Sequence, residues 1–252
     1  MEVTGIIIAG NEQKMIEKSI KSLSWCKQVI LVAANSTDNT ISVAKKVRPS
    51  MLIIKINDTY GKNFDKWRNA GLEKVKTKYT FYLDADEEAS LQLQGEIEGF
   101  TKQKEYTYAA IPRQNMYLGK IVKHGGSYPD YQKRLFKTDK LEKWEGLLHE
   151  QPIVTGKLYH LKNSILHNTH RSLHEMTKKT LIWTDSFAGN IYKSNHPPMQ
   201  SWRIFRMFFT KFMERYIKQS MWRDGTVGLI SSIFESFDTV IIYSKLWELQ
   251  KV

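Results

Sequence analysis

The sequence predicts an α/β protein: a doubly wound mixed sheet flanked by helices, followed by a C-terminal amphipathic helical tail. Three observations carry this. Strand-length apolar runs alternate with helix-spaced apolar residues through the first third of the chain. The last of these runs, Tyr79-Thr-Phe-Tyr-Leu83, ends in Asp84-Ala85-Asp86. Beyond the breaker Pro197-Pro198, Trp202, Phe205, Phe209, Phe212 and Tyr216 recur at helical spacing, interleaved with Arg203, Arg206, Lys211, Arg215 and Lys218.

In order, Val3 to Ala9 is a continuous apolar run, as in a parallel strand buried on both faces, and Ile16, Ile20 and Leu23 follow at helical spacing. Gln28 to Val32 is a second strand. Thr40 opens a helix with Ile41, Ala44 and Val47 on one face, Met51 to Ile56 is a third strand, and Phe64 to Val75 a helix leading into the strand before Asp84. From about Lys102 to His167 the pattern shifts to short strands and turns, such as Tyr106 to Arg113 and Tyr131 to Phe136. These predict a mixed extension of the sheet that lays loops over a crevice. The proline pair places the boundary between a body, 1–196, and a tail, 197–252.

A chain of 252 residues supports one full core with an appendage. Cys26 is the single cysteine, which excludes an internal disulfide or a cysteine-based zinc cluster and suits a reducing compartment. The N-terminus enters a strand without a basic n-region or a long apolar segment, so cytoplasmic residence is expected. The formal charge of +12 implies an acidic partner: nucleic acid, an anionic membrane or a phosphorylated substrate. No zinc finger, aromatic RNA-binding signature or Walker loop is present, so nucleic acid ranks last.

Three strands end in polar residues that could face one site: Gly10-Asn11-Glu12, Asn35 to Thr40, and Asp84-Ala85-Asp86. Loops at the carboxyl ends of parallel strands are where such sheets bind nucleotides. Two carboxylates one residue apart there can hold a divalent cation against a ligand's phosphates. Asp38 and Thr40 read as helix caps; Asn11 and Glu12 either cap the helix after the first strand or contact a donor.

The runs Ile6-Ile7-Ile8-Ala9-Gly10-Asn11-Glu12, Asn35 to Thr40, Trp67-Arg68-Asn69-Ala70-Gly71-Leu72 and Leu83-Asp84-Ala85-Asp86-Glu87 resemble the family 2 glycosyltransferases, and within them the branch that adds sugars to lipopolysaccharide core. The resemblance continues through Tyr128-Pro-Asp130-Tyr-Gln-Lys-Arg134, Trp144-Glu-Gly-Leu-Leu-His149-Glu150 and Leu166-His167-Asn-Thr-His-Arg171-Ser172, and so covers most of the chain. It implies a GT-A fold, a nucleotide-sugar donor, expected to be a UDP-sugar, a divalent metal (Mg²⁺ or Mn²⁺), and inversion at the anomeric carbon.

On that resemblance Asp86 anchors the metal with Asp84 in support, unless Asp84 contacts the donor's ribose or sugar instead. His167 supplies the metal or the phosphates, against a core histidine. Arg68 lies at the family position that contacts the donor nucleotide, against a solvated helix-surface charge. Glu150 is the base that takes the acceptor's proton, with Asp130 second and a salt bridge to a lysine as the alternative for Glu150. Arg134 and Arg171 could neutralise phosphate or an anionic acceptor. One departure stands out. Where relatives carry a base-binding Asp at the end of the second strand, this chain has Ala33, then Ala34 and Asn35. Either Asn35 or Glu12 takes over base recognition, or the donor is not the usual uridine nucleotide, or donor affinity has been lost.

The basic aromatic helix of the tail suits the interface of an anionic bilayer, against docking on the body. The following stripe, Ile230, Ile233, Phe234, Phe237, Val240 and Ile241, is interrupted by Glu235 and Asp238 and is not expected to span a membrane. Together these readings imply a metal-dependent inverting glycosyltransferase, peripheral on the inner face of the cell membrane, acting on a glycan or lipid-linked acceptor in cell-surface polysaccharide or lipopolysaccharide biosynthesis. The alternative is a non-catalytic glycan- or membrane-binding module of the same fold, which Ala33 favours.

Overall fold

The computed structural model describes residues 1–58, 63–126, 128–146 and 150–251. Strand β1 (Val3–Ala9) is buried along its whole length. Helix α1 (Ile16–Ser22) leads to β2 (Gln28–Ala34), α2 (Thr40–Val47) to β3 (Leu52–Ile56), and α3 (Phe64–Leu72) to β4 (Tyr79–Asp84). A short β5 (Glu87–Ala89) and α4 (Leu91–Lys102) follow, then β6 (Tyr108–Tyr117), β7 (Lys120–Ile121), β8 (Asp130–Lys137), β9 (Leu141–Glu145), β10 (Gln151–Val154), β11 (Leu158–His160) and β12 (Ile165–His170). The chain closes with α5 (Leu173–Lys193), α6 (Ser201–Phe212) and α7 (Gly225–Leu249).

The chain divides into two compact units. The first, Met1–Arg113 with Asp130–His167, holds the main sheet in the order β3-β2-β1-β4-β8-β6-β12-β5. The first four strands of that order pair in parallel, and β8 joins β4 antiparallel, which makes the sheet mixed. Because β2 and β3 lie to one side of β1 and β4 to the other, the winding reverses between β1 and β4, and a crevice opens outside their carboxyl ends. Side chains alternate across the sheet. Ile7, Leu31 and Leu83 pack with α1, α2 and α4 on one face, while Ile6, Ile8, Val32 and Tyr82 pack with Trp67 of α3 and Trp144 of β9 on the other. Burial on both faces is why these strands read as unbroken apolar runs. Cys26 lies in this core, where burial pushes its thiol up to about 12 and favours the neutral form.

The second unit, Gln114–Pro129 with Asn168–Val252, is helical apart from the β6–β7 hairpin and the end of β12. Helix α7 packs against both α5 and α6. The two acids that interrupt its apolar surface are paired inside the unit, Glu235 with Arg215 at 2.6 Å and Asp238 with the Thr180 hydroxyl at 2.6 Å. By length and composition alone, Met221–Leu249 is long and apolar enough to cross a membrane, so the two acids do not disqualify it on that measure. Helix α6 buries none of its residues; Trp202, Phe205 and Phe209 are 57%, 73% and 55% exposed.

The C-terminal part of the second unit begins at Asn168. Helix α5 belongs with α7, so Pro197-Pro198 breaks the chain between two helices of one unit. His167 lies within β12, and the strand expected from Tyr106 to Arg113 begins at Tyr108 and runs on to Tyr117.

Candidate active site

Helix α3 sets the centre of the crevice. Gly71 lets it approach the sheet, since a Cβ there would lie 2.7 Å from Ile6 Cγ2. One turn earlier on the same face, Arg68 is 4% exposed. Its guanidinium sits 4.8 Å from the Trp144 ring, and Asn69 fixes that tryptophan by exchanging hydrogen bonds of 2.7 and 2.8 Å with its backbone N–H and carbonyl. Arg68 is thus a buried, stacked cation and not a solvated helix-surface charge.

Arg68 joins two of the expected site residues. Its Nε donates to Glu150 Oε1 at 2.9 Å, and its Nη2 donates to Asp84 Oδ1 at 3.1 Å. Arg134, on β8, donates from Nη2 to Asp84 Oδ2 at 2.6 Å and to Glu87 Oε1 at 3.1 Å. Arg113 Nη1 lies 3.6 Å from the same Glu87 oxygen, while its Nη2 contacts Asp130 Oδ2 at 2.6 Å. Carboxylates and guanidiniums therefore alternate from Asp130 to Glu150. Burial works to raise the pKa of Asp84, but the charges of Arg134 and Arg68 outweigh it and hold this carboxyl well below the usual range. Burial likewise opposes the charge on Arg134, and Asp84 and Glu87 overcome it.

Asp84 has both oxygens on guanidiniums, which leaves it poorly placed to ligate a cation. Asp86 stands differently. It follows Asp84 in the turn before β5, and its Oδ2 lies 3.4 Å from His167 Nε2, with the side chains 22% and 15% exposed. A carboxylate and an imidazole so close and partly open fit a divalent ion, Mn²⁺ better than Mg²⁺. Among the described residues no group of three or more His, Cys, Asp or Glu is gathered around such a point. The protein would therefore supply two ligands and leave the rest to water and donor phosphate.

The other expected residues fall into two groups. Glu150 immediately precedes β10 and lines a crevice of about 200 Å³ with Arg68, Arg134, Lys133, Tyr131 and Trp144; its neighbour His149 lies outside the described residues. Asp130, the second choice for base, has both oxygens committed, Oδ2 to Arg113 and Oδ1 to Gln132 at 2.7 Å. At the ends of β1 and β2, Asn11 Oδ1 accepts from the backbone N–H of Thr37 at 2.8 Å, and the Glu12 backbone N–H donates to Thr40 Oγ1 at 2.8 Å. Asp38 accepts from the Thr40 N–H at 2.9 Å, a capping role. Asn35, at φ 52°, exchanges hydrogen bonds with the backbone of Asp58 through both ends of its amide. Ala33 and Ala34 are both buried. Arg171 is in the second unit, on Glu175 at 2.8 Å. Sequence reading passed over Glu87 and Arg113, although Glu87 continues the acidic run that drew attention to Asp84 and Asp86.

A doubly wound mixed sheet with an acidic turn after the strand at its switch point is the GT-A arrangement. The chain belongs to glycosyl transferase family 2, whose sequence profile matches residues 4–152, and it is a glycosyltransferase. An uncharacterized glycosyltransferase of Rickettsia bellii is 23% identical over 269 residues, 98% of this chain and 87% of that protein. LpsC of Rhizobium meliloti, a lipopolysaccharide core biosynthesis glycosyltransferase, is 22% identical over 268 residues, 98% of this chain and 93% of the relative. Among solved structures, residues 1–349 of S. aureus TarS in complex with UDP-GlcNAc align over 100% of this chain and 92% of theirs, with 11% identity and a TM-score of 0.49.

Proposed function

We propose that the protein transfers a sugar with inversion from a nucleotide-sugar donor, a UDP-sugar in the first instance, to a glycan or lipid-linked acceptor. The observation that carries this is Arg68 held between Asp84 and Glu150 at the carboxyl end of β4, beside the Asp86–His167 pair. A divalent ion on Asp86 and His167 would offset the charge that develops on the departing diphosphate. Glu150 takes the proton of the acceptor hydroxyl as that oxygen attacks the anomeric carbon. Arg68 fixes Oε1 of Glu150 and leaves Oε2 without a hydrogen-bond partner among the described residues, so the carboxylate is oriented before substrate arrives. Asp84 sets the guanidiniums rather than binding the ion.

The direct test is thermal shift against a panel of nucleotide sugars with Mn²⁺, followed by donor hydrolysis, since a ligand that binds only the folded state raises Tm. A shift and turnover with one donor are expected. No shift and no hydrolysis with any donor would favour the non-catalytic alternative, for which the buried Ala33 and Ala34 and the committed Asn35 amide speak.

The acceptor side is proposed to lie at an anionic membrane on the cytoplasmic face, in lipopolysaccharide or related polysaccharide synthesis. Its support is the exposed aromatic face of α6 with interleaved arginines and lysines. Replacing Trp202, Phe205, Phe209 and Phe212 should reduce sedimentation with anionic vesicles while soluble catalysis persists, and salt should weaken wild-type binding. Unchanged vesicle binding with a Tm lower by several degrees would mean that the face packs within the protein instead.

A further inference from the structure

Glu87 is fully buried, and nothing in the chemistry above uses it. A carboxylate removed from water costs several kcal/mol unless it is paired, and here the pairing is specific. Its Oε2 accepts from the backbone N–H of Asp84 at 2.9 Å, which closes the turn carrying Ala85 and Asp86 from the inside. Its Oε1 accepts from Arg134 at 3.1 Å and lies 3.6 Å from Arg113. Its backbone meets His167 in the β5–β12 register. One residue thus touches both halves of the Asp86–His167 pair: the side chain ties the turn that bears Asp86, and the strand pairing places His167 across from it.

We propose that Glu87 is a positioning residue that holds Asp86 and His167 at ion-binding separation, chiefly through its bond to the Asp84 N–H. This rests on the reading of that pair as the metal site. Partners behind metal ligands typically change affinity by 10- to 100-fold when removed.

Two conservative variants separate the turn bond from the charge. Glu87→Asp keeps the charge but is one methylene too short to reach the Asp84 N–H. Glu87→Gln keeps the reach, because its amide oxygen can accept that bond, but loses both guanidinium pairings. Titration with Mn²⁺ alone, followed by loss of the free-ion EPR signal well below each variant's Tm, should show Glu87→Asp weakened by about 10-fold or more and Glu87→Gln within about 3-fold of wild type. Amide hydrogen exchange across residues 84–86 without metal should quicken in Glu87→Asp only. A merely structural role predicts lower Tm in both variants with unchanged Mn²⁺ affinity, and that result would overturn the proposal, as would equal losses of affinity in the two. Asp86→Ala is the reference. If it leaves Mn²⁺ binding intact, the metal site itself is misplaced and the proposal falls with it; if it abolishes binding while Glu87→Asp binds Mn²⁺ as tightly as wild type, only the role of Glu87 is refuted.

Discussion

Glu150→Gln is expected to bind donor and Mn²⁺ nearly as well as wild type and to lose transfer by roughly 10²-fold or more, the usual contribution of a positioned general base. The substitution is close to isosteric. The amide oxygen can still accept from Arg68 Nε, so the stacked guanidinium and the Trp144 wall behind it stay in place. What is removed is the capacity of the second oxygen to take a proton. Steady-state kinetics should therefore show kcat falling with little change in donor KM, the signature of an interaction made only in the transition state. Near-normal transfer would move the role to Asp130, which must then leave Arg113 and Gln132 to act. Loss of donor binding would instead make Glu150 a binding residue.

Strands β1, β2 and β4 were legible because a sheet covered on both faces leaves no room for polar alternation, and Val3–Ala9 falls where its apolar run predicts. Helix α5 was not legible by the same route. Its buried stripe is Met176, Thr180, Thr184 and Ala188, too polar to register as an apolar period. A signal was present all the same, since Ser172 caps the Glu175 N–H at 3.2 Å in a Ser-x-x-Glu sequence. The acids and arginines of the crevice were visible one at a time, but not their partners. Arg68 and Glu150 are 82 positions apart, and only the close packing of α3 against β9 brings them together. Arg113 and Glu87 escaped notice because a charge in a strand reads as solvent-facing until another strand of the sheet supplies its counter-ion. Asn35 drew attention by its place at a strand end. Its left-handed backbone and its amide bonds to Asp58 give it a structural task that a list of polar residues does not distinguish from ligand binding.

Asp86→Ala should abolish Mn²⁺-dependent donor binding and turnover while the protein remains folded. The carboxylate sits in a turn with its side chain 22% exposed, and its contact with His167 at 3.4 Å is the interaction lost, so the stability cost should stay near 1 kcal/mol. The contrast with Asp84 makes the result interpretable. Asp84→Ala strips the shared counter-ion from Arg68 and Arg134, both 4% exposed, leaving them only Glu150 and Glu87, and breaking buried pairs of this kind costs roughly 3 kcal/mol or more. That variant should lose activity mainly by losing structure, with a lowered Tm and distorted Arg68. Asp86→Ala should lose it with Tm within about 4 °C of wild type. His167→Ala should fall between, because an ion kept by one carboxylate, water and phosphate oxygens binds more weakly but still binds. Measuring Tm, Mn²⁺ affinity and turnover on the three variants decides the assignment. Undiminished metal-dependent turnover in Asp86→Ala would remove the ion from this turn, and loss confined to Asp84→Ala at wild-type Tm would return it to the carboxylate that the arginines hold in this structure.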